Sequence, residues 1–429
     1  MEEDTLRASL FGTELRRLRL LAGLSLTDLA GRVNYSKSHL SKIERGEKAP
    51  TADFARRCDS FFARDGALAS LVSVPDLGDT GRDDGWSGLH TADGPWLIRF
   101  DPDGGGQFLA PGQPRLDSRD EPGMFRWRPS PPSAEPAGAM LAPILGAVRA
   151  MARSAASGAV FPLAVALVGH ARDAARNSRT DRASLLKLGS RSAELCGWLA
   201  QECGDDRASL WWTKLAVELS DAAGDTHMVA YAYVRRALVA LYCGDAQLAQ
   251  RLAATVAERP TVSPGIRRLA AQREAQAYAA MGDLRGYRRA IGRAADISDM
   301  DNAADTSGLG PGNSGDLLPI VTGWCQYDLG NADQAVDLLD RHVPAIPATS
   351  HRARARFEVR RALAYTDVDV ARSCDLMHSV LPDVRRVDSA TVRSDLHAYT
   401  RAVARWQHRN CVQELMPQLL QALSGPSYP

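Results

Sequence analysis

The stretch LSLTDLAGRVNYSKSHLSKIERG, Leu24–Gly46, contains two short amphipathic segments on either side of a break. The first segment repeats apolar residues at the helical spacing i, i+3, i+4, i+7, namely Leu26, Leu29, Ala30 and Val33. The second segment, Ser36–Arg45, places Leu40 and Ile43 on one face. We therefore predict two short helices here, each with one apolar side.

The break at Asn34-Tyr35 has the chemistry of a tight turn, because asparagine tolerates the left-handed conformation better than most residues. The Ser36 hydroxyl is expected to cap the second helix. Gly46 is expected to end it as a left-handed C′ residue. This is the layout of a helix-turn-helix, whose second helix enters a DNA major groove.

The segments LRRLRLLAGLSLTDLA and SKSHLSKIERG, with the apolar helix around Phe54 and Phe61, resemble the Xre or lambda-repressor-like family. The resemblance covers Phe11–Phe62 and implies five short helices. The alternative interpretation is a plain helical hairpin in an all-α protein. The agreement of spacing, caps and the terminal Glu-Arg-Gly favours the family.

The resemblance implies that the first turns of the second helix meet base edges. The matching positions are Lys37, Ser38, His39, Ser41 and Lys42, and Ser36 joins this predicted DNA-binding set. Lysine donates to guanine O6 and N7, and serine serves either base. The alternative for Lys37 and Lys42 is contact with phosphate, which positions the helix without reading the sequence. Where the family often has a phosphate-binding glutamine this chain has Leu26, so that contact is expected from Ser25, Thr27 or Tyr35.

In the same comparison, Glu44 faces the first of the five implied helices, which contains Arg19. The family pairs this glutamate with an arginine, and the matching residue here is Arg19. A buried carboxylate needs such a partner. We therefore assign Arg19 and Glu44 a structural role.

Charge is unevenly distributed along the 429 residues, which are 45% apolar and carry a net charge of +1. Residues 14–57 hold ten Lys and Arg against five Asp and Glu. A basic module on a slightly acidic body favours DNA binding by one domain only. The length allows two or three globular domains.

The composition divides the chain into four predicted parts. Residues 1–10 are a flexible arm and residues 11–72 the DNA-binding domain. Residues 73–138 hold ten Pro and eleven Gly, which predicts a linker. Within it WLIRF and QFLA flank a Gly-rich turn and predict a β-hairpin; the segment is either an ordered wrap over the next domain or a flexible tether. Residues 139–429 read as helical throughout.

The C-terminal part is punctuated by Gly followed by Asp or Asn, at positions 204, 224, 244, 282 and 330. The segments AYAAMGDLRGYRRAIGRAADI and GWCQYDLGNADQAVDLLDRHV resemble tetratricopeptide repeats, which implies a right-handed superhelix of helical hairpins. Hairpins are predicted near 187–222, 226–258, 264–297, 317–343 and 350–381, with capping helices on both sides. Met300–Asp316 is an inserted loop, either a lid or a plain surface loop. The predicted fold class is all-α.

Counting back from these glycines gives the positions expected on the concave face. The predicted effector-binding residues are Trp198, Tyr231, Gln272, Gln276, Trp324 and Tyr327. Aromatics mixed with amides suit a peptide or a flat small molecule. The alternative for Trp198 and Trp324 is core between repeats.

Other sites are weakly supported by the sequence. Seven cysteines without a C-x-x-C motif indicate free thiols in a reducing cytosol. No catalytic motif, metal cluster or cofactor loop occurs, so no enzyme, metal or cofactor is predicted. The absence of a signal-peptide core and of a long apolar run favours a cytoplasmic protein without a membrane span.

The sequence therefore predicts a bacterial transcription regulator. It would bind double-stranded operator DNA as a homodimer, and its repeat domain would bind a signalling peptide or small-molecule effector. The alternative is a DNA-bound scaffold that holds another protein without a small effector. An enzyme is the third possibility.

Overall fold

The structure is a computed structural model. It describes residues 11, 12, 15, 16, 18, 19, 24–33, 37–44, 50, 58, 62, 97–100, 106–109, 137–178, 180–300, 309 and 317–423. The chain divides into two compact units, Met1–Gly88 and Leu89–Pro429. The arm 1–10, Tyr35, Ser36, Gly46, and most of the predicted linker and of the insertion lie outside the described residues.

The first unit contains helix α1 (Leu26–Val33) and helix α2 (Lys37–Glu44). Their apolar faces meet a preceding helical stretch in one core, formed by Phe11, Leu15, Leu18, Leu29, Ala30, Leu40, Ile43 and Cys58. Gly12 lies against the end of α2, where an added Cβ would come within 2.1 Å of the Ile43 carbonyl oxygen. Only glycine therefore lets the first helix approach α2 this closely.

Helix α1 begins with a reciprocal cap that the sequence analysis missed. The Asp28 N–H donates to Ser25 Oγ at 3.2 Å, and the Ser25 N–H donates to Asp28 Oδ2 at 3.0 Å. This is a capping box, which satisfies two otherwise unpaired backbone donors. The Ser25 hydroxyl thus has a structural role at the helix start.

The predicted hairpin is confirmed. Strand β1 (Leu97–Phe100) pairs antiparallel with β2 (Gly106–Leu109), with Leu97 opposite Leu109 and Phe100 opposite Gly106. The rest of the described chain is helical, as the all-α prediction requires.

The second unit is an array of fourteen further helices among the described residues. They are α3 (Ala137–Ala152), α4 (Ser157–Asn177), α5 (Arg182–Cys203), α6 (Asp206–Ala222), α7 (His227–Tyr242), α8 (Ala246–Ala257), α9 (Pro264–Ala280), α10 (Leu284–Met300), α11 (Leu318–Asp328), α12 (Ala332–His342), α13 (His351–Tyr365), α14 (Val370–Val387), α15 (Ala390–Val403) and α16 (Asn410–Leu423). Short 3-10 turns follow α12 at Val343–Ala345 and α15 at Ala404–Trp406. None of these helices is long and apolar enough to cross a membrane.

The five predicted hairpins are confirmed as α5–α6, α7–α8, α9–α10, α11–α12 and α13–α14. All five punctuating glycines have positive φ, between 71° and 92°. Aspartate follows four of these glycines, and each aspartate accepts a hydrogen bond from the first turn of the next helix, as Asp245 does from the Leu248 N–H at 2.9 Å. Glycine therefore ends one helix and aspartate starts the next.

The predicted capping helices after residue 390 follow the fifth hairpin, and one of them, α15, also returns to α5. Glu202, at the end of α5, accepts hydrogen bonds from Thr391 at 3.0 Å and from Ser389, and pairs with Arg352 at 3.1 Å. Arg352 also donates to the carbonyls of Ala152 and Ala155, near the start of the array. The array therefore closes on itself, and its inner face becomes an interior.

Candidate functional site

Arg19 and Glu44 are brought together by the structure. Arg19 Nε lies 2.7 Å from Glu44 Oε1 and Nη2 lies 2.8 Å from Oε2, a two-pronged ion pair. Its Nη1 donates to the Leu24 carbonyl at 2.9 Å. Both side chains are under a tenth exposed, and the hydrogen bond to Glu44 raises the pKa of Arg19. One guanidinium thus holds the first helix, the chain before α1 and the end of α2 in fixed positions.

Helix α2 has two different sides. Leu40 and Ile43 are fully buried, whereas Lys42 is exposed and Ser41 is half-buried. Lys37, Ser38 and His39 form its first turn, and their side chains lie outside the described part of the structure. Thr27 is exposed in the first turn of α1. The core therefore uses the side of α2 that holds Leu40 and Ile43, and Lys42 is exposed to solvent.

Residues 10–71 match the family model of a helix-turn-helix domain. This match supports a DNA-binding regulator. No curated protein and no solved structure matches the chain. The helix-turn-helix domain indicates a regulator rather than an enzyme, and the helical array is compatible with tetratricopeptide-like repeats.

We call α5, α7, α9, α11, α13 and α15 the inner helices. The six predicted effector residues lie on four of them, but they do not share one open groove. Tyr231 is buried and its hydroxyl donates to Glu194 at 3.3 Å. The Arg352 guanidinium carbon lies over the Trp198 ring, 5.4 Å from the centre of that ring. Gln272 is also buried, and Tyr327 is partly buried between two core clusters. The closure of the array explains this burial.

Gln276 and Trp324 line a cavity of about 340 Å³ at which five inner helices converge. The walls come from the helices α7, α9, α11, α13 and α15, through Leu241, Tyr242, Gln276, Ala280, Trp324, Asp328, Arg360, Ser394, Asp395, Ala398 and Arg401. Trp198, Tyr231, Gln272 and Tyr327 are not among these residues. We call this space the axial cavity.

Arg360 is the centre of one wall of the axial cavity. Its guanidinium carbon lies 3.6 Å from the centre of the Trp324 ring, and its Nη2 donates to Asp395 Oδ1 at 2.5 Å. Asp328 lies 3.9 Å from the same guanidinium and accepts the Trp324 indole N–H at 2.9 Å. Burial raises the pKa of Asp328, and the Arg360 charge counters this. Burial lowers the pKa of Arg360, but the two aspartates outweigh it, so the net pKa is raised and the cation is kept.

Three residues of the cavity were not predicted from the sequence: Arg360, Asp395 and Arg401. They lie on α13 and α15, which no Gly-Asp or Gly-Asn pair follows, so counting back from the glycines stopped at α11. A signal was present in the spacing of Arg352, Arg356 and Arg360, which repeat every four residues along one face of α13.

Proposed function

We propose that this protein is a sequence-specific transcription regulator that binds an operator as a homodimer through the first turns of α2. An effector in the axial cavity modulates that binding. The observation that carries the proposal is the helix-turn-helix match over residues 10–71, together with the Arg19–Glu44 pair that fixes α2. The base-reading residues in this proposal are Lys37, Ser38, His39, Ser41 and Lys42. One contact with the DNA phosphate backbone comes from Ser25, Thr27 or Tyr35, and Ser36 belongs to the same DNA-binding set.

A homodimer is proposed because an eight-residue helix reaches too few base pairs to specify a site alone. Two copies related by a two-fold axis would read half-sites about one helical turn, roughly 34 Å, apart. Selection of binding sites from random duplex DNA with the full chain tests this. An inverted repeat is expected, and a motif without internal symmetry would contradict the dimer.

Effector modulation is supported by the position of Gln276 and Trp324 on the axial cavity. Ligand contacts with five inner helices would favour one arrangement of the array over another. A coupling of about 1–3 kcal/mol changes operator occupancy roughly five- to 150-fold. Linkage requires that the operator change effector affinity by the same factor.

The test measures operator affinity with and without effector, and effector affinity with and without operator, in wild type and in Gln276→Ala with Trp324→Ala. Equal changes in both directions, lost in the double variant, are expected. Identical affinities in wild type would remove modulation and favour the scaffold alternative, in which the array holds a protein partner on DNA. Full affinity in the double variant would move the site away from this cavity.

A further inference from the structure

Three arginines on the inner helices have no carboxylate partner among the residues that the structure describes. They are Arg235 on α7, Arg273 on α9 and Arg356 on α13. Each donates to a neutral oxygen instead: Arg235 to Gln201, Arg273 to Gln276 and Arg356 to Tyr242. Other inner arginines do have carboxylates, as Arg191 has Asp225 at 2.9 Å and Arg352 has Glu202 at 3.1 Å. The missing partners are therefore a local property of this part of the interior.

Arg273 and Arg356 do not line the axial cavity, but both contact residues that do. Arg273 holds the cavity residue Gln276, and Arg356 lies 5.1 Å from the centre of the Tyr242 ring and 5.4 Å from that of Trp324. Burial lowers the pKa of Arg273 to about 10, and the Arg356 charge adds to this effect. Buried cations without counter-charges are costly, and proteins normally pair them.

The cavity has an excess of positive charge. Arg360 and Arg401 line it, and Arg273 and Arg356 lie behind it, against two aspartates, Asp328 and Asp395, that Arg360 already engages. Arg401 is exposed and makes no hydrogen bond or ion pair with any described residue. The site therefore has two more positive charges than negative ones.

Besides Arg360 Nε, two polar atoms of the cavity-lining residues have no hydrogen-bond partner within the described chain. Gln276 is 2% exposed, and its Nε2 donor is unused because Arg273 occupies only its Oε1. Asp395 is 1% exposed, and its Oδ2 acceptor is unused because Arg360 occupies Oδ1. Buried polar atoms are normally satisfied, so both invite a ligand atom.

We propose that the axial cavity binds a small anionic molecule that also carries a hydrogen-bond donor. Its anionic group accepts from Gln276 Nε2 and from Arg401, in the field of Arg273 and Arg356, and its donor meets Asp395 Oδ2. The apolar wall of Leu241, Ala280 and Ala398 contacts its body. This inference rests on the proposal that the cavity is the effector site, and it selects a small molecule over a signalling peptide.

The size of the cavity supports this choice. A volume of about 340 Å³ lies at the lower end of the roughly 300–1,000 Å³ range of small-molecule sites. An extended peptide would need a longer groove. A compact acid or phosphate ester fills the space and satisfies the unpaired charges at once.

Calorimetric titration of the full chain with a matched pair of probes tests the charge requirement. The pair is 4-aminobenzoate, which is anionic and carries an amine donor, and 4-aminobenzamide, its uncharged analogue of equal size. Inorganic phosphate is a third probe, which separates a phosphate from a carboxylate preference. We expect at least one anion to bind tenfold or more tightly than the amide. Equal binding of the charged and uncharged probes, or no binding of either anion at millimolar concentration, would overturn the proposal.

Two variants locate the site. Arg273→Met removes a half-buried cation without a counter-charge, so the melting temperature of the unliganded protein should stay the same or rise while anion binding is lost. Arg352→Met, the matched control, breaks a carboxylate pair and should lower the melting temperature. If Arg273→Met lowers it as much as Arg352→Met does, the residue is structural and the proposal fails. Arg401→Gln, at an exposed position, should weaken anion binding without altering stability.

Operator binding separates this inference from the proposed function. If an anion binds in the cavity but operator affinity does not change, the ligand class stands and the sensing role falls. If the operator is bound specifically but no anion binds, the ligand class falls and the DNA-binding role stands.

Discussion

At the scale of single residues, the ion pair of Arg19 and Glu44 determines how α2 is presented. Replacing Glu44 by Ala would leave a buried cation without its counter-charge, which costs about 3–5 kcal/mol. We expect hydrogen exchange in α1 and α2 of the full chain to report a loss of this size. Arg16→Ala, at an exposed position of the same helical stretch, is the control and should change little. Unaltered exchange in Glu44→Ala would contradict the structural role.

Asp225 gives a prediction about pH. It accepts from the His227 N–H at 3.0 Å and pairs with Arg191 at 2.9 Å and Lys187 at 3.2 Å. Burial raises the pKa of Asp225, but these partners outweigh it and the net pKa lies below the ordinary value. Its charge therefore stabilises the folded state above the ordinary pKa of about 3.9, and this contribution is lost as pH falls through the lowered folded value.

Asp225→Asn should accordingly be less stable than wild type at neutral pH, and the difference should shrink as the pH falls below about 4. Melting temperatures of both proteins, measured from about pH 3 to about pH 7, check this. Asp173→Asn is the control, since its pair with Arg176 is largely exposed at 3.7 Å. A difference that is independent of pH would show that the Asp225 charge is not the cause.

At the scale of elements, replacing a turn glycine and replacing a helix glycine by Ala should change the free energy of unfolding in opposite directions. Gly244 has φ of 82° and open space around its Cβ position, so Gly244→Ala tests backbone conformation alone. A cost of about 1–2 kcal/mol is expected. Gly292 lies inside α10, also in open space, and Gly292→Ala should stabilise by about 0.5–1 kcal/mol. Denaturant unfolding of both variants decides the matter, and losses of equal size would contradict the assignment of Gly244 as a helix terminator.

The helices themselves were predictable because their signals are local. Apolar periodicity marked α1 and α2, the Gly-rich turn marked the β-hairpin, and Gly-Asp or Gly-Asn pairs marked four of the five helical hairpins. The capping box of Ser25 with Asp28 was missed, although serine followed three residues later by an acid was visible in the sequence. Residues far apart in the chain make the cavity, such as Gln276 and Asp395, and no local pattern links them.

The closure of the array is the feature of the whole second unit that local patterns do not predict, because it depends on the sum of small rotations between hairpins. Glu202 and Arg352, 150 positions apart, form the contact that closes it. Glu202→Ala should cost about 3–5 kcal/mol and increase hydrogen exchange in α13 and α15. Glu258→Ala, which removes an exposed partner of Arg293, is the control. Exchange that rises uniformly throughout the unit would argue against a specific closing contact.

At the scale of the whole molecule, the central claim is that this chain recognises a specific DNA sequence through α2. The most direct test compares the Kd of the full chain for its selected operator with the Kd for a scrambled duplex at one salt concentration. Wild type should prefer the operator about a thousandfold or more. Lys37→Ala and Ser38→Ala should each lose about 1–3 kcal/mol on the operator and relax one base position, while Lys214→Ala on α6 should match wild type. Equal affinity of wild type for both duplexes, or a preference that neither α2 variant alters, would contradict the claim.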